Sequence, residues 1–226
     1  MIKGISSMAT SALLAELAAA YSQRSGVAVE FESVGGVEAA RRVQAGEAFD
    51  IVVLASDAID KLAAAGRVAA AGKIDLVRSS VAAAVRAGAA RPDISTEDAL
   101  RDAVLGAGRI GYSTGPSGVA LLALFRRWGI ADEIEERLVQ APPGVPVGSL
   151  LARGDVALGF QQLSELIHVE GIDLLGPLPP AVQIVTTFSA AAGPASAHAD
   201  AVRALLDWMA SPDTAQAKRR QGMEPA

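Results

Sequence analysis

Hydrophobic and polar positions along the chain follow two alternating spacings, which predict an alternation of β-strands and α-helices. Short apolar runs of strand character occupy residues 2–5, 27–31 and 49–54. Each run leads into a turn and then into apolar residues at helical spacing. The run at 49–54 is almost continuously apolar, as expected for a buried parallel strand. The pattern therefore predicts an α/β fold for this part of the chain.

The spacing becomes less regular beyond Gly72, where a long extended segment is predicted over residues 74–85. Strands and helices of ordinary length are predicted after it. In chain order they are a helix capped by Ser95 or Thr96, a strand at 109–112, a helix at 119–128, a strand at 138–139, a helix at 149–153, strands at 156–160, 172–175 and 184–191, and a last helix carrying Val202, Leu205, Leu206, Trp208 and Met209.

Three of the predicted strands end in turns of small or hydroxyl-bearing residues that open helices. The turns contain Ser6 and Ser7, Gly35 and Gly36, and Ala55 and Ser56. In an open parallel sheet, ligands bind at the carboxyl edge of the strands, where such turns lie. Three of them in series indicate a binding edge. Asp57, just after the third turn, is predicted to be an N-cap.

A fourth turn of this kind, residues 111–119, lies between the strand at 109–112 and the helix at 119–128. It contains Ser113, Thr114, Ser117 and Gly118, and its backbone N–H groups could receive an oxyanion at the start of the helix. The simpler interpretation of this turn alone is an ordinary N-cap, with Ser117 or Thr114 bonded to the N–H groups of the helix itself.

Composition narrows the class of protein. With 226 residues, 51% of them hydrophobic, the chain can bury a sizeable core. Its net charge of −5 is spread without a basic block, which argues against nucleic acid as the partner. It has no cysteine and two histidines far apart, so no metal and no cofactor are expected. No Ser-His-Asp order, phosphate loop or dinucleotide fingerprint is present.

The beginning of the chain contains one lysine and then strand-like residues, without a long apolar segment. No apolar stretch is suited to spanning a membrane. The expected location is periplasmic if a leader has been removed and cytoplasmic otherwise.

Five stretches in a fixed order carry a resemblance to a known family: residues 6–17, 32–46, 49–56, 111–118 and 210–225. In these stretches the chain resembles the type II periplasmic solute-binding proteins of ABC transporters, on the branch that includes molybdate-binding proteins. Each motif is short, but together they extend over nearly the whole chain.

The resemblance implies a monomer with two α/β lobes, residues 1–79 plus 186–226 and residues 80–185. Each lobe would have a mixed, mostly parallel sheet flanked by helices. Hinge closure would grip a small anion between the lobes. The implied ligand contacts are Ser6, Ser7, Gly35, Gly36, Ala55 and Ser56 from the first lobe and Ser113, Thr114, Ser117, Gly118, Val147 and Gln161 from the second.

The chain departs from the molybdate binders in three places. Its first turn is about two residues longer than theirs, which leaves the choice between Ser6 and Ser7 open. Their second turn is rich in serine, whereas this chain has Val34, Gly35, Gly36 and Val37 there. Their late tyrosine contact has no counterpart, since Tyr112 ends an earlier strand. A glycine-lined site suits an organic carboxylate at least as well as a tetrahedral oxyanion. The favoured function is capture of a small anion for the permease of an ABC transporter.

An alternative function is isomerisation of an unsaturated polycarboxylate, because the chain also resembles aconitate-isomerase-like enzymes. That reaction needs anchors for carboxylates and a group that accepts and returns a proton. Glu165 and His168 are the acid–base candidates, and Arg78 or Arg86 the anchors. The simpler interpretation makes Glu165 a solvated helix charge, and His168 and Arg86 surface residues.

Overall fold

The computed structural model describes residues 1–194 and 196–226. The chain forms two compact units. Unit 1 consists of Met1–Ser79 and Thr186–Ala226, and unit 2 of Ser80–Val185. Both contain sheets of parallel and antiparallel strands flanked by helices, which confirms the predicted α/β class.

Strands alternate with helices along the described chain. In sequence order the strands are β1 (Ile2–Ser7), β2 (Val29–Val34), β3 (Ile51–Ala55), β4 (Ile74–Arg86), β5 (Ile110–Tyr112), β6 (Leu138–Gln140), β7 (Leu158–Gln162), β8 (Ile172–Pro177), β9 (Val185–Ala192) and β10 (Met223–Pro225).

The helices range from one turn to four turns. They are α1 (Ser11–Ser25), α2 (Gly36–Gln44), α3 (Ser56–Ala64), α4 (Glu97–Gly106), α5 (Pro116–Arg127), α6 (Ala131–Ile134), α7 (Val147–Arg153), α8 (Leu163–Leu166), α9 (Ala199–Ala210) and α10 (Ala215–Arg220), with 3-10 turns at Met8–Thr10, Glu135–Arg137, Pro180–Val182 and Pro212–Thr214. Within the described residues, no helix has both the length and the apolar character needed to cross a membrane.

Unit 1 is built on β1, which pairs in parallel with β2 on one side and β3 on the other. Strand β9 runs antiparallel to β3, and β10 runs antiparallel to the first half of β4. Alternate residues of β3 enter two different apolar clusters, one containing Ile51 and Val53 and the other Val52 and Leu54. The sheet is therefore buried on both faces at β3, which explains the continuous apolar run in the sequence.

Unit 2 is built on β5, which pairs in parallel with β6 and β7. The second half of β4 runs antiparallel to both β7 and β8. Phe125 of α5 and Phe160 of β7 meet edge to face in the main apolar cluster, with ring centroids 6.2 Å apart. This packing fixes α5 against the strand that carries Gln161.

Several helix starts differ from the sequence predictions, among them those of α3 and α5. Thr96 does cap α4, since its Oγ1 accepts a hydrogen bond from the Ala99 N–H at 3.1 Å. Asp57 is not an N-cap, because α3 begins one residue earlier, at the end of β3, and Ala55 occupies the cap position. Helix α5 begins at Pro116, three residues before the predicted start. Where a strand ends immediately before a helix, the end of the strand sets the cap position.

Candidate functional site

The carboxyl ends of β1, β2 and β3 lie at one edge of unit 1, because these strands are parallel and in register. Ser6 is opposite Ser33 of β2 and Val53 of β3. The hydroxyl oxygens of Ser6 and Ser33 are 2.7 Å apart, and Ser6 is fully buried. The structure thus brings the first two predicted turns together, and it adds Ser33 to the serines of this edge.

Ser7 is better placed than Ser6 to donate a hydrogen bond outward. Its Oγ accepts from the Ala9 N–H at 3.2 Å, a bond that leaves the hydroxyl proton of Ser7 uncommitted. The Ser6 hydroxyl also has a carbonyl acceptor, that of Ser7 at 3.3 Å. A Cβ on Gly36 would lie 3.4 Å from the Ser7 Cβ, so glycine keeps the space beside this serine open.

A cation that the sequence alone did not indicate, Lys73, contacts the third turn of unit 1 from further along the chain. Lys73 donates hydrogen bonds from its Nζ to Ser56 Oγ at 2.7 Å and to Asp60 Oδ1 at 2.6 Å. An ammonium group can only donate, so Ser56 Oγ must be the acceptor and its own proton remains available. Ala55 provides no side-chain cap for α3, so the first N–H groups of this helix lack a side-chain partner as well.

In unit 2 the parallel strands β5, β6 and β7 bring their carboxyl ends to one edge in the same way. The hydroxyl oxygens of Ser113 and Ser117 are 3.0 Å apart in the turn after β5. Gly115 is the N-cap residue of α5, and no side chain caps the helix. The ordinary N-cap by Ser117 or Thr114 is therefore wrong.

Packing, rather than contact with a ligand, explains why residue 118 is glycine. A Cβ at this position would lie 1.9 Å from the Ser113 carbonyl oxygen and 3.2 Å from Tyr112 Cδ2. Only glycine allows α5 to pass this close to the end of β5. The predicted ligand contact at Gly118 is consistent with its place in the turn, but the close backbone approach is what requires glycine there.

Val147, Gln161 and Glu165 follow the ends of β6 and β7. The Val147 N–H donates to Gln161 Oε1 at 2.7 Å, and the Gln161 side chain favours the ionised form of Glu165. Glu165 is only partly exposed, and burial raises the pKa of its carboxyl to about 7, against the opposing effect of the Gln161 hydrogen bond. The interpretation of Glu165 as a solvated helix charge is therefore wrong.

Arg78, Arg86 and His168, the other candidates for carboxylate anchoring and proton transfer, are exposed. Each lies outside these sheet edges or is hydrogen-bonded elsewhere. Arg78 donates to the Pro225 carbonyl at 3.2 Å, a bond that holds β10. Arg86 is paired with Ile172, at the end of β4 remote from the pair Val81–Gln162. It cannot serve as a carboxylate anchor beside Gln161. His168 is exposed after α8, as the simpler interpretation predicted.

The two edges share one chemical character. Both present hydroxyl groups and uncapped helix N–H groups, which suit the oxygen atoms of a small anion. Unit 1 adds the Lys73 ammonium, and unit 2 adds a carboxyl that changes protonation near neutral pH. Among the described residues, no group of three or more His, Cys, Asp or Glu side chains could hold a metal ion.

The fold and these edges are those of the two-unit α/β class to which solute-binding proteins belong. Residues 2–224 match the sequence profile of the family described as bacterial extracellular solute-binding protein, and the chain belongs to that family. The resemblance to type II solute-binding proteins is thereby confirmed.

Individual relatives differ in what they bind or do. The chain is 40% identical over 216 residues to an aconitate isomerase from a Pseudomonas species, with 93% of this chain and 82% of that protein covered. The periplasmic molybdate-binding protein of Azotobacter vinelandii has the same fold, with a TM-score of 0.81 at 20% identity and coverage of 99% and 98% of the two chains. The sulfate-binding protein SubI of Mycobacterium tuberculosis gives a TM-score of 0.78 at 19% identity over 100% and 86%.

Proposed function

We propose that the protein binds a small unsaturated tricarboxylate of the aconitate type and interconverts its double-bond isomers. The observation that carries the proposal is Glu165, a partly buried carboxyl with a pKa of about 7 at the same sheet edge as the Ser113–Ser117 turn. The 40% identity to an aconitate isomerase over most of both chains supports it. Glu165 supplies the proton acceptor that the reaction requires.

The reaction is an allylic proton shift. The Glu165 carboxylate takes a proton from the saturated carbon next to the double bond, and the electron pair spreads over the allylic system and its carboxylate. The same proton returns to the former vinyl carbon, so the double bond moves and no atom is lost. A general base with a pKa close to the working pH is suited to both steps, since it is partly ionised before the transfer and is an effective acid afterwards.

Charge that develops on the substrate carboxylate during this shift needs hydrogen-bond donors fixed in advance. In unit 2 these are the first N–H groups of α5 and the free proton of the Ser113–Ser117 pair. In unit 1 the hydroxyls of Ser7 and Ser56 have protons left to donate. We propose that the other predicted contacts also touch a ligand at their own edge, namely Ser6, Gly35, Gly36 and Ala55 in unit 1 and Thr114, Gly118 and Val147 in unit 2.

The second candidate function is reversible capture of a small anion for the permease of an ABC transporter. The family match favours it, since that family is described as extracellular solute-binding proteins. The same donors would serve, with hinge closure holding the ligand and no covalent step. This function would place the protein outside the cytoplasm.

Proton NMR of cis- and trans-aconitate with the purified protein distinguishes the two candidates. Interconversion that is lost in Glu165→Gln and retained in Glu170→Gln, an exposed carboxyl shortly after α8, supports the isomerase. A parallel thermal-shift series with molybdate, tungstate, sulfate and tricarboxylates reports binding alone. Stabilisation by an inorganic oxyanion and by no carboxylate, without interconversion, would refute the isomerase and leave the capture of an oxyanion.

A further inference from the structure

Gln161 occupies an unusual position for a ligand contact, because its side chain is already committed to the protein. It lies in β7 opposite Ala82 of β4, and only 4% of it is exposed. Its Oε1 accepts the Val147 N–H at 2.7 Å. Val147 is the first residue of α7, and no side chain at the cap position Pro146 satisfies that end of the helix. Gln161 therefore fulfils part of the capping role from a neighbouring strand.

The bond from Val147 also fixes the orientation of the amide. With Oε1 held by an N–H donor, Nε2 must occupy the other side, and an amide nitrogen can only donate. The carboxyl of Glu165, four residues further along, is the group whose ionised form the Gln161 side chain favours. Strand β7 and the single turn α8 are directly consecutive, so Gln161 and Glu165 are carried on one short segment of backbone.

We propose that Gln161 is a positioning residue rather than a primary ligand contact: locked by the Val147 N–H, it holds one oxygen of the Glu165 carboxyl and leaves the other for proton transfer. The catalytic consequence rests on the proposed isomerase function, whereas the contact itself does not. Its effect is to keep the proton acceptor in one orientation through both halves of the allylic shift.

On the described elements that pack most against α8, no cation forms an ion pair with Glu165. Helix α8 packs against α7, β7 and β8. The charged side chains on these elements are Arg153, which is paired with Asp155 at 2.9 Å, and Asp173, which accepts the Gly88 N–H at 3.0 Å. Beyond α8, His168 and Glu170 are exposed. Within the described residues, the hydrogen bond from Gln161 is thus the interaction that favours the ionised form of Glu165 against burial.

The test is a direct titration of Glu165 by carbon-detected NMR of protein labelled at the glutamate carboxyl. The signal is assigned by its absence from Glu165→Gln. Gln161→Met keeps the length of the side chain but removes the amide, so the midpoint of Glu165 should rise by about one unit or more. Gln140→Met, at an exposed glutamine, is the control and should leave the midpoint unchanged.

A second variant removes the lock without touching Gln161. Val147→Pro deletes the N–H at the first helical position, where proline is tolerated, and Pro146 already has the extended backbone that a following proline requires (φ −65°, ψ 141°). The amide can then reorient, so the midpoint should rise by a smaller amount than in Gln161→Met. This variant keeps the test decisive if Gln161→Met does not fold.

The same variants distinguish a failure of the positioning role of Gln161 from a failure of the proposed isomerase function. If aconitate isomers interconvert, the limb of the kcat profile assigned to the general base should move upward in pH together with the NMR midpoint. If no interconversion occurs but the midpoint moves, the isomerase fails and the positioning role stands. Folded Gln161→Met and Val147→Pro variants that titrate Glu165 at the wild-type pH would overturn the positioning role.

Discussion

Replacing Glu165 by Gln should remove a specific pH dependence from the stability of the protein. Burial raises the carboxyl pKa from 4.5 to about 7. Between these two values the folded protein retains a proton that the unfolded chain has released. Stability falls as pH rises wherever the folded state binds more protons, so the wild-type protein should lose stability across this window. Gln cannot ionise, and the variant should not show that loss.

The size of this stability difference follows from the shift in the pKa of Glu165. A displacement from 4.5 to about 7 corresponds to roughly 3 kcal/mol at about 1.4 kcal/mol per unit. Since Glu165 is partly exposed, solvent screening reduces the effect, and about 2 kcal/mol is expected. Near pH 5 the wild-type carboxyl is protonated and resembles the amide, so the two proteins should be about equally stable. Near pH 8, Glu165→Gln should be more stable by about 2 kcal/mol.

Urea unfolding at a series of pH values from about 5 to about 8 measures this difference directly. Glu170→Gln provides the matched control, because it removes an exposed carboxyl a few residues further along the chain. Its stability profile should run parallel to that of the wild type. Parallel profiles for the wild type and Glu165→Gln, or a variant that is less stable near pH 8, would show that Glu165 is ionised without cost in the folded protein. The assignment of a proton acceptor would then be wrong.

Three further predictions concern other parts of the molecule. Lys218 is 1% exposed, and burial lowers the pKa of its ammonium. In alkaline solution the unfolded chain therefore binds more protons than the folded protein, and wild-type stability should rise there with pH. Urea unfolding near pH 7 should show Lys218→Met to be more stable than the wild type by about 1 kcal/mol or more. Ser7→Ala and Ser117→Ala should each weaken binding of trans-aconitate about 10-fold in calorimetry while the protein stays folded, and unchanged affinity in a folded variant would show that its serine does not contact the ligand. Lys73→Met should weaken the same binding by a similar factor and Lys73→Arg by less, whereas Lys61→Met, at an exposed ion pair, should have no effect.

The sequence was sufficient for the fold class and for the turns that form the two edges, because both depend on local patterns. The spacing of apolar residues along the chain distinguishes a strand from a helix, and small residues after a strand mark the carboxyl edge of a parallel sheet. The caps at Asp57 and at Ser117 or Thr114 were predicted wrongly for a physical reason. Helix α3 starts directly where β3 ends, and α5 starts at Pro116 after a short turn, so Ala55 and Gly115 occupy the cap positions.

Two features of the candidate site depend on tertiary contacts that no local pattern reports. Lys73 reaches Ser56 across 17 residues, and only the path of the chain after α3 brings the ammonium to that hydroxyl. Glu165 belongs to a four-residue helix with an ordinary sequence, and its raised pKa comes from burial by the neighbouring elements. The sequence could name Glu165 as a candidate, but the burial that distinguishes it from a solvated glutamate required the structure.

Binding and isomerisation place almost the same demands on this protein, and the difference between them is concentrated in one side chain. In either function, hydroxyls such as those of Ser7 and Ser117, and the uncapped N–H groups of α3 and α5, would stabilise the carboxylate oxygens of a bound substrate and of a charged intermediate alike. Only the removal of a carbon-bound proton requires Glu165. Glu165→Gln should therefore retain affinity for trans-aconitate while losing turnover, because the amide preserves shape and hydrogen bonding but cannot accept the proton. A variant that loses affinity and turnover together would instead make Glu165 part of the binding surface.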